Sequence, residues 1–250
     1  MEVKQKLTSG HTNISYKLND QVIQEKIKNP FNHKLDNTML AQFDFVPELL
    51  EDNEFESKWK WIEHKETVFT DEVLKQVADN IKILHDSELK FPKSNVAARV
   101  KEYRKILKEK NVQVPILDKY YKKINLILKH SENNRPLHND LRLANILVDM
   151  KDKVYFIDWE YASMGDKHFD LAYFICHSYL TKHQEQVFLD QYDSYWEEYL
   201  IQQKILVHYL TILWINAQPV KPFSDEHFIN ELEKNVQEFN YKKQTQSFRD

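Results

Sequence analysis

Glycine is almost missing from this chain. Its 250 residues hold two, Gly10 and Gly165, where about 7% is ordinary. Such a sequence builds no collagen-like repeat and no flexible glycine linker, and each surviving glycine is expected where the backbone needs it. Cysteine is rarer still, with Cys176 alone. That excludes an internal disulfide and a stapled secreted scaffold, and fits a reducing, cytoplasmic setting. Arginine occurs only at 99, 104, 135, 142 and 249, and the formal net charge is −4. With no basic tract, the sequence lacks the electrostatic footprint of a nucleic-acid binder. No apolar run approaches the roughly 20 residues of a membrane span, and MEVKQKLTSG has no apolar core of the kind a secretory signal needs.

What is present suffices for a substantial core. Hydrophobic residues make up 42%, enough for one large domain or two lobes. ISYKL (14–18) and QVIQEKI (21–27) alternate about the turn pair Asn19-Asp20, which predicts a hairpin. HKLDNTMLAQF (33–43) reads as a short helix, and SKWKWIEH (57–64) as a third strand. From Thr70 the period changes: Val73, Leu74, Val77, Ile81 and Leu84 fall three and four apart, with Thr70 as the cap. Helical patterns follow at about 96–110 and 116–130. Two short strands, NILVD (145–149) and KVYFID (153–158), come next, then a helix that Asp170 is placed to cap. The pattern is helical over about 183–243, broken at PVKPF (219–223). Strands first and helices later predict an α+β chain, a small β-rich part before a larger helical one.

The chemistry concentrates in LHNDLRLANIL (137–147). Charged and polar groups beside a buried strand are costly unless they are paired or hold a ligand. Residues 138–145 read His-Asn-Asp-Leu-Arg-Leu-Ala-Asn. A kinase catalytic loop reads His-Arg-Asp-Leu, three further residues, then Asn, and only its Arg is replaced here, by Asn139. Phosphoryl transfer needs an Asp to accept the proton of an attacking hydroxyl and oxygen ligands for Mg²⁺. Asp158 closes KVYFID 158 − 140 = 18 positions downstream, so a hairpin brings Asp140, Asn145 and Asp158 to one end of a sheet. Separately they read as a turn residue, a loop cap and a strand terminator; together they favour catalysis. His138 is expected to brace the loop.

HNDLRLANIL, then FIDWEYA (156–162) and GDKHFDLA (165–172), resembles the choline/ethanolamine kinase and aminoglycoside phosphotransferase family. The resemblance runs from TSGHTN (8–13) to ILWINAQ (212–218). It implies a two-lobed protein-kinase-like fold, with residues 1–63 as the nucleotide-binding lobe and 64–250 as the catalytic and substrate-binding lobe. It also implies ATP and Mg²⁺ as cofactors. Asp140 would be the base, Asn145 and Asp158 the metal ligands, and Asp170 a brace acting from its helix N-terminus. Ser9, Gly10, His11, Thr12 and Asn13 match the phosphate loop, where backbone N–H groups can meet an anion. Gly165 falls in the turn before the Asp170 helix. Gln24 stands where the family places a phosphate-pairing Lys or Arg; Lys26, two along on the same face, is the substitute, with Asp36 as its acidic partner. Arg142 is placed to neutralise transferred phosphate, and Ile62, within KWIEH (60–64), to meet adenine.

A protein kinase is disfavoured. Only 170 − 158 = 12 positions separate the metal Asp from the bracing Asp, no Ala-Pro-Glu follows, and Trp159 replaces the Phe of Asp-Phe-Gly. A small-molecule alcohol is therefore the expected partner, with choline or ethanolamine the leading acceptor and an aminoglycoside or other small alcohol the alternative. Choline would be held by aromatic faces, with Trp214, Tyr173 and Trp196 as candidates and Tyr195 and Tyr209 nearby. AYFICH (172–177) departs from the eukaryotic choline kinase pattern and points to a bacterial small-alcohol kinase of the LicA type. An aminoglycoside would call instead on carboxylates such as Glu197, Glu198, Asp225 and Glu226. A non-catalytic nucleotide-binding scaffold is the reading from another class, supported by Gln24 alone.

Overall fold

The structure is a computed structural model that describes residues 4–7 and 13–249. Ser9, Gly10, His11 and Thr12, the expected phosphate loop, lie outside the described residues. Five strands form an antiparallel sheet, β1 (Gln5–Leu7), β2 (Asn13–Leu18), β3 (Gln21–Lys26), β4 (Leu49–Asp52) and β5 (Glu56–Lys60), in the order β1-β2-β3-β5-β4. The hairpin between β2 and β3 pairs Leu18 with Gln21. Asn19 takes φ 52° in its turn, a left-handed conformation that Asn tolerates better than most residues.

The segment between β3 and β4 is a 3₁₀ turn, Asn37–Gln42, not an α-helix. Its side chains leave the sheet: Leu35, Leu40, Phe43 and Phe45 join the same core as the helices that follow. The Phe156 N–H donates to the Phe45 carbonyl at 2.8 Å. The next strand, β6 (His64–Lys65), opens a second sheet and lies beside β8 (Ile146–Asp149), which pairs in turn with β9 (Val154–Phe156).

Seven helices complete the chain: α1 (Asp71–Asp86), α2 (Val96–Glu109), α3 (Pro115–His130), α4 (Lys167–His177), α5 (Lys182–Tyr192), α6 (Glu197–Ala217) and α7 (Glu226–Thr245). Thr70 caps α1, its side chain accepting from the Val73 N–H at 3.3 Å, a bond worth about 1 kcal/mol. The apolar stripe predicted for α1 is the buried one, with Val73, Leu74, Val77, Ile81 and Leu84 all in the core. Helix α6 is apolar on nearly every side because α2, α3, α4 and α7 all pack around it. No helix among the described residues is long and apolar enough to cross a membrane.

Two local expectations change. Asp166, not Asp170, caps α4, accepting from the His168 N–H at 3.0 Å, which places Asp170 one turn inside the helix. Gly165 ends a short strand, β10 (Ser163–Gly165), paired with β7 (Arg135–Leu137). Its demand is space, since a Cβ there would run into Leu137 Cδ1 in the core.

Candidate active site

The loop from β7 to β8 carries the first group of residues. Asp170 is fully buried, and its two carboxylate oxygens accept the backbone N–H groups of His138 and Asn139, each at 2.7 Å. Charge-assisted bonds of this kind are about twice as strong as neutral ones, so they fix the loop from beneath. Asn139 takes φ 65° and donates its amide to the Tyr161 carbonyl and Ser163 Oγ. The template's Arg could hardly adopt that backbone while making these short bonds. His138 is buried, lies 4.5 Å from the Trp159 ring and donates Nε2–H to the Ile157 carbonyl. Burial holds its pKa below the ordinary value, so the ring is a neutral brace.

These supports leave Asp140 facing two ways. Oδ1 accepts the Tyr173 hydroxyl at 2.5 Å, while Oδ2 accepts the Asn145 amide at 3.1 Å and lies 3.9 Å from Arg142 Nε. Burial raises the carboxyl's pKa; the Arg142 charge and the Tyr173 bond pull it part of the way back. Asp158 follows the strand in the left-handed region, at φ 66° and ψ 59°. Its Oδ1 accepts from Gln24 Nε2 at 2.8 Å and Asn13 Nδ2 at 3.2 Å. Burial, with the Glu160 and Asp140 charges behind it, pushes this carboxyl up to about 7, against the Gln24 bond.

A cation placed here would relieve both the burial and the mutual repulsion of these carboxylates. The donors present, the Asn145 amide oxygen and the Asp158 carboxylate, suit a hard cation such as Mg²⁺. Among the described residues no group of three or more His, Cys, Asp or Glu side chains could hold a metal. Such an ion would need phosphate and water for the rest of its shell, as Mg²⁺ does in nucleotide sites.

A cavity opens on each side of this pair. One lies beneath the five-stranded sheet and is lined by Val22, Gln24, Trp61, Ile62, Asn145 and Asp158. The other lies between α2, α4 and α6, lined by Arg99, Asp140, Arg142, Tyr173, His177 and Trp214, with Tyr161 and Phe223 at its edge.

Comparison with known proteins places the chain in a family. The model of the phosphotransferase enzyme family matches residues 49–203. A LicA homologue from Metamycoplasma hominis is 46% identical over 230 residues, covering 90% of this chain and 92% of that one. The chain belongs to the phosphotransferase enzyme family. Among solved structures, choline kinase LicA from Streptococcus pneumoniae superposes with a TM-score of 0.75 at 19% identity, covering 96% of this chain and 93% of that one. A LicA structure in complex with AMP gives 0.74 at 19% identity, over 95% and 91%. The two-lobed, protein-kinase-like α+β fold expected from the sequence is thereby established.

Within this phosphotransferase the expected residues divide. Asn13, Gln24, Ile62, Asn145 and Asp158 line the first cavity, and Asp140, Arg142, Tyr173 and Trp214 the second, with Asp140 joined to Asn145 by a hydrogen bond. Lys26 does not join them. Its ammonium is bound to Asp52 at 2.5 Å and to the Asn53 carbonyl at 2.7 Å, because the sheet order sets β4 within reach of the end of β3. Asp36 is not its partner, since that carboxylate caps the 3₁₀ turn through Thr38. Trp196 stands at the start of α6, 56% exposed. Trp214 is 18 residues further along the same helix, about 27 Å at 1.5 Å per residue. Tyr209 is core, its hydroxyl donating to the Leu117 carbonyl. Of the four carboxylates expected for an aminoglycoside, none lines the second cavity.

Other residues of the site carried no usable sequence signal. Arg99 enters from α2, and His177 from the last turn of α4, stacked on Tyr173 at 4.2 Å. Glu160 is buried, accepting from Asn32 Nδ2 at 2.7 Å and lying 3.3 Å from His33 Nε2. Glu160 alone could have been suspected, as a second acid two residues past Asp158.

Proposed function

We propose that this phosphotransferase moves the γ-phosphoryl group of Mg-ATP to a hydroxyl of a small alcohol held in the cavity between α2, α4 and α6. The observation that carries this reading is the double engagement of Asp140. One oxygen faces a hydroxyl on the acceptor side, and the other is tied to Asn145 on the nucleotide side. The Tyr173 hydroxyl donates to the first of these oxygens from the acceptor side, as an acceptor hydroxyl would in reaction.

In the reaction, the acceptor oxygen forms a bond to Pγ as the bond from Pγ to the β,γ-bridging oxygen breaks. Its proton passes to Asp140 and the bonding pair leaves with ADP. Burial raises the basicity of Asp140 toward that task, as suits a general base. Asn145 and Asp158 would hold Mg²⁺, which supplies charge neutralisation on the phosphates. Arg142, adjacent to Asp140, adds positive charge on the acceptor side of the transferred group. Nucleotide binding as such is supported by the AMP complex of the structural neighbour; its place under the sheet, with Ile62 and the connecting segment beside the base, rests on the lining of that cavity.

Choline or ethanolamine as acceptor is a second reading, favoured by the names of the structural neighbours and by the aromatic rings of Tyr161, Tyr173, Trp214 and Phe223 around the cavity.

The test replaces Asp140 with Ala. General-base removal is expected to lower kcat by about 10²–10⁴-fold, with the ATP dissociation constant held within about threefold. Equal losses in turnover and ATP affinity would show that Asp140 serves nucleotide binding instead. No ADP release by the wild type with any alcohol, despite tight Mg-ATP binding, would favour the scaffold reading.

A further inference from the structure

The charge of the acceptor cavity is the wrong sign for a cationic alcohol. Four of its lining residues can carry charge: Arg99, Asp140, Arg142 and His177. Burial, then the nearby Arg142 and Arg99 charges, lower the His177 pKa to about 3, so that ring is neutral. Arg142 lies 3.9 Å from Asp140, and those two charges offset each other. Arg99 remains.

Arg99 projects from the first turn of α2 and is 94% buried, with 6% of its surface exposed. Its Nε and Nη1 have no hydrogen-bond partner, and no carboxylate among the described residues lies within ion-pair distance. The groups around its charge are neutral phenols, those of Tyr103, Tyr161 and Tyr173, and the guanidinium lies 4.7 Å from the Tyr161 ring centre. A ring face softens the burial of a cation but does not replace an anion. Guanidinium cannot lose its proton, so this site carries an uncompensated positive charge. It also occupies one of the aromatic faces that a quaternary ammonium would need.

We propose that the acceptor is an alcohol bearing an anionic group, a carboxylate or a phosphate ester, and that Arg99 pairs with that group while the hydroxyl faces Asp140. The inference rests on the phosphotransfer reading and names its substrate class. A guanidinium presents parallel N–H donors that match either oxyanion, so one residue sets both the charge preference and the orientation of the hydroxyl. The hydrogen-bond donors now idle are the ones the anion would use.

The experiment measures ADP release by the full chain with Mg-ATP and five acceptors. D-Glycerate and glycerol 3-phosphate form the carboxylate and phosphate arms, glycerol is the neutral control, and choline and ethanolamine are the cationic arm. At least one anionic alcohol is expected to exceed choline in kcat/KM by about tenfold or more, the scale of one charged hydrogen bond. Arg99→Gln should raise the KM of that acceptor about 10–100-fold and leave the ATP KM unchanged. Arg99→Lys, which keeps the charge and guards against a folding defect, should retain the anion preference with a smaller rise.

Preferred turnover of choline or ethanolamine would overturn the anion inference while leaving phosphotransfer intact. So would a fall in kcat for Arg99→Gln with acceptor KM unchanged, which would assign the guanidinium to the transferred phosphate. Absence of ADP release with all five acceptors, together with absent Mg-ATP binding, would remove the phosphotransfer reading and this inference with it.

Discussion

The two cavities that meet at the Asp140–Asn145 hydrogen bond invert the usual division of charge. Beneath the sheet, where a triphosphate is to bind, the groups on Asp158 are the neutral amides of Gln24 and Asn13. Lys26, the nearest candidate cation on β3, is tied to Asp52. On the other side of the pair, two guanidiniums line the acceptor cavity. On the proposed reading, phosphate charge on the nucleotide side would fall largely to a metal ion, since Lys60, which also lines that cavity, is paired with Glu48. The side-chain cations near Asp140 would serve the acceptor and the group in transit.

Asp158 gives the sharpest way to break that comparison. Asp158→Asn removes a proposed metal ligand and should lower kcat by about 10²-fold or more, since the metal contributes several kcal/mol of charge stabilisation. The same change should stabilise the ligand-free protein. A carboxyl held at about 7 when folded binds a proton more tightly than in the unfolded chain. Its contribution is therefore fully favourable below the unfolded value and declines as pH rises toward 7. Thermal unfolding from pH 5 to 8 should show a Tm falling with pH in the wild type and a flatter profile in the variant. At pH 7 the variant should melt higher by several degrees, on the order of the shift that ~1–2 kcal/mol produces. A wild-type profile no steeper than the variant's would mean that Asp158 is not under repulsion.

Gln24→Lys asks whether the nucleotide side tolerates a cation. An ammonium beside Asp158 should draw that carboxyl's pKa down and lower the ATP KM by about three- to tenfold, the worth of a partly buried charge contact. An ATP KM that rises would show that Gln24 is needed as a neutral donor. The smallest effect belongs to Trp196→Ala, which should leave kcat and the acceptor KM within about twofold, as expected of an exposed side chain. A larger acceptor effect would return Trp196 to the site.

Much of this architecture was legible in the sequence because local chemistry decided it. The β8–β9 hairpin alternates about Met150-Lys151-Asp152, and Thr70 precedes a three-and-four stripe, so both could be read without knowing what they pack against. The catalytic loop was legible for another reason: its spacing, from Asp140 to Asn145 and on to Asp158, is fixed by one hairpin.

Where a contact depends on how distant elements register, the reading failed. Lys26 shares a face with Gln24, but the order β3-β5-β4 decides that Asp52 captures it. Asp166 and Asp170 are both acceptable caps, and only the turn at which α4 begins separates capping from bracing. Trp196 and Trp214 read alike on a long apolar helix; α6 is long enough to place them at opposite ends. Arg99 is 140 − 99 = 41 positions upstream of Asp140, on a helix whose rotation no local pattern reports.

The grip of Asn32 and His33 on Glu160 has a consequence for motion. A kinase-like cleft hung on a single connecting segment can swing open as a door does. Here the strand-rich portion is fastened to the helical portion a second time, by a latch two residues beyond Asp158 and by the Phe45–Phe156 backbone bond. A frame pinned at two separated points resists rigid parting of its halves, and the tip of the β2–β3 ribbon is itself tied to the connecting segment, the Trp61 N–H donating to the Asp20 carbonyl at 2.7 Å.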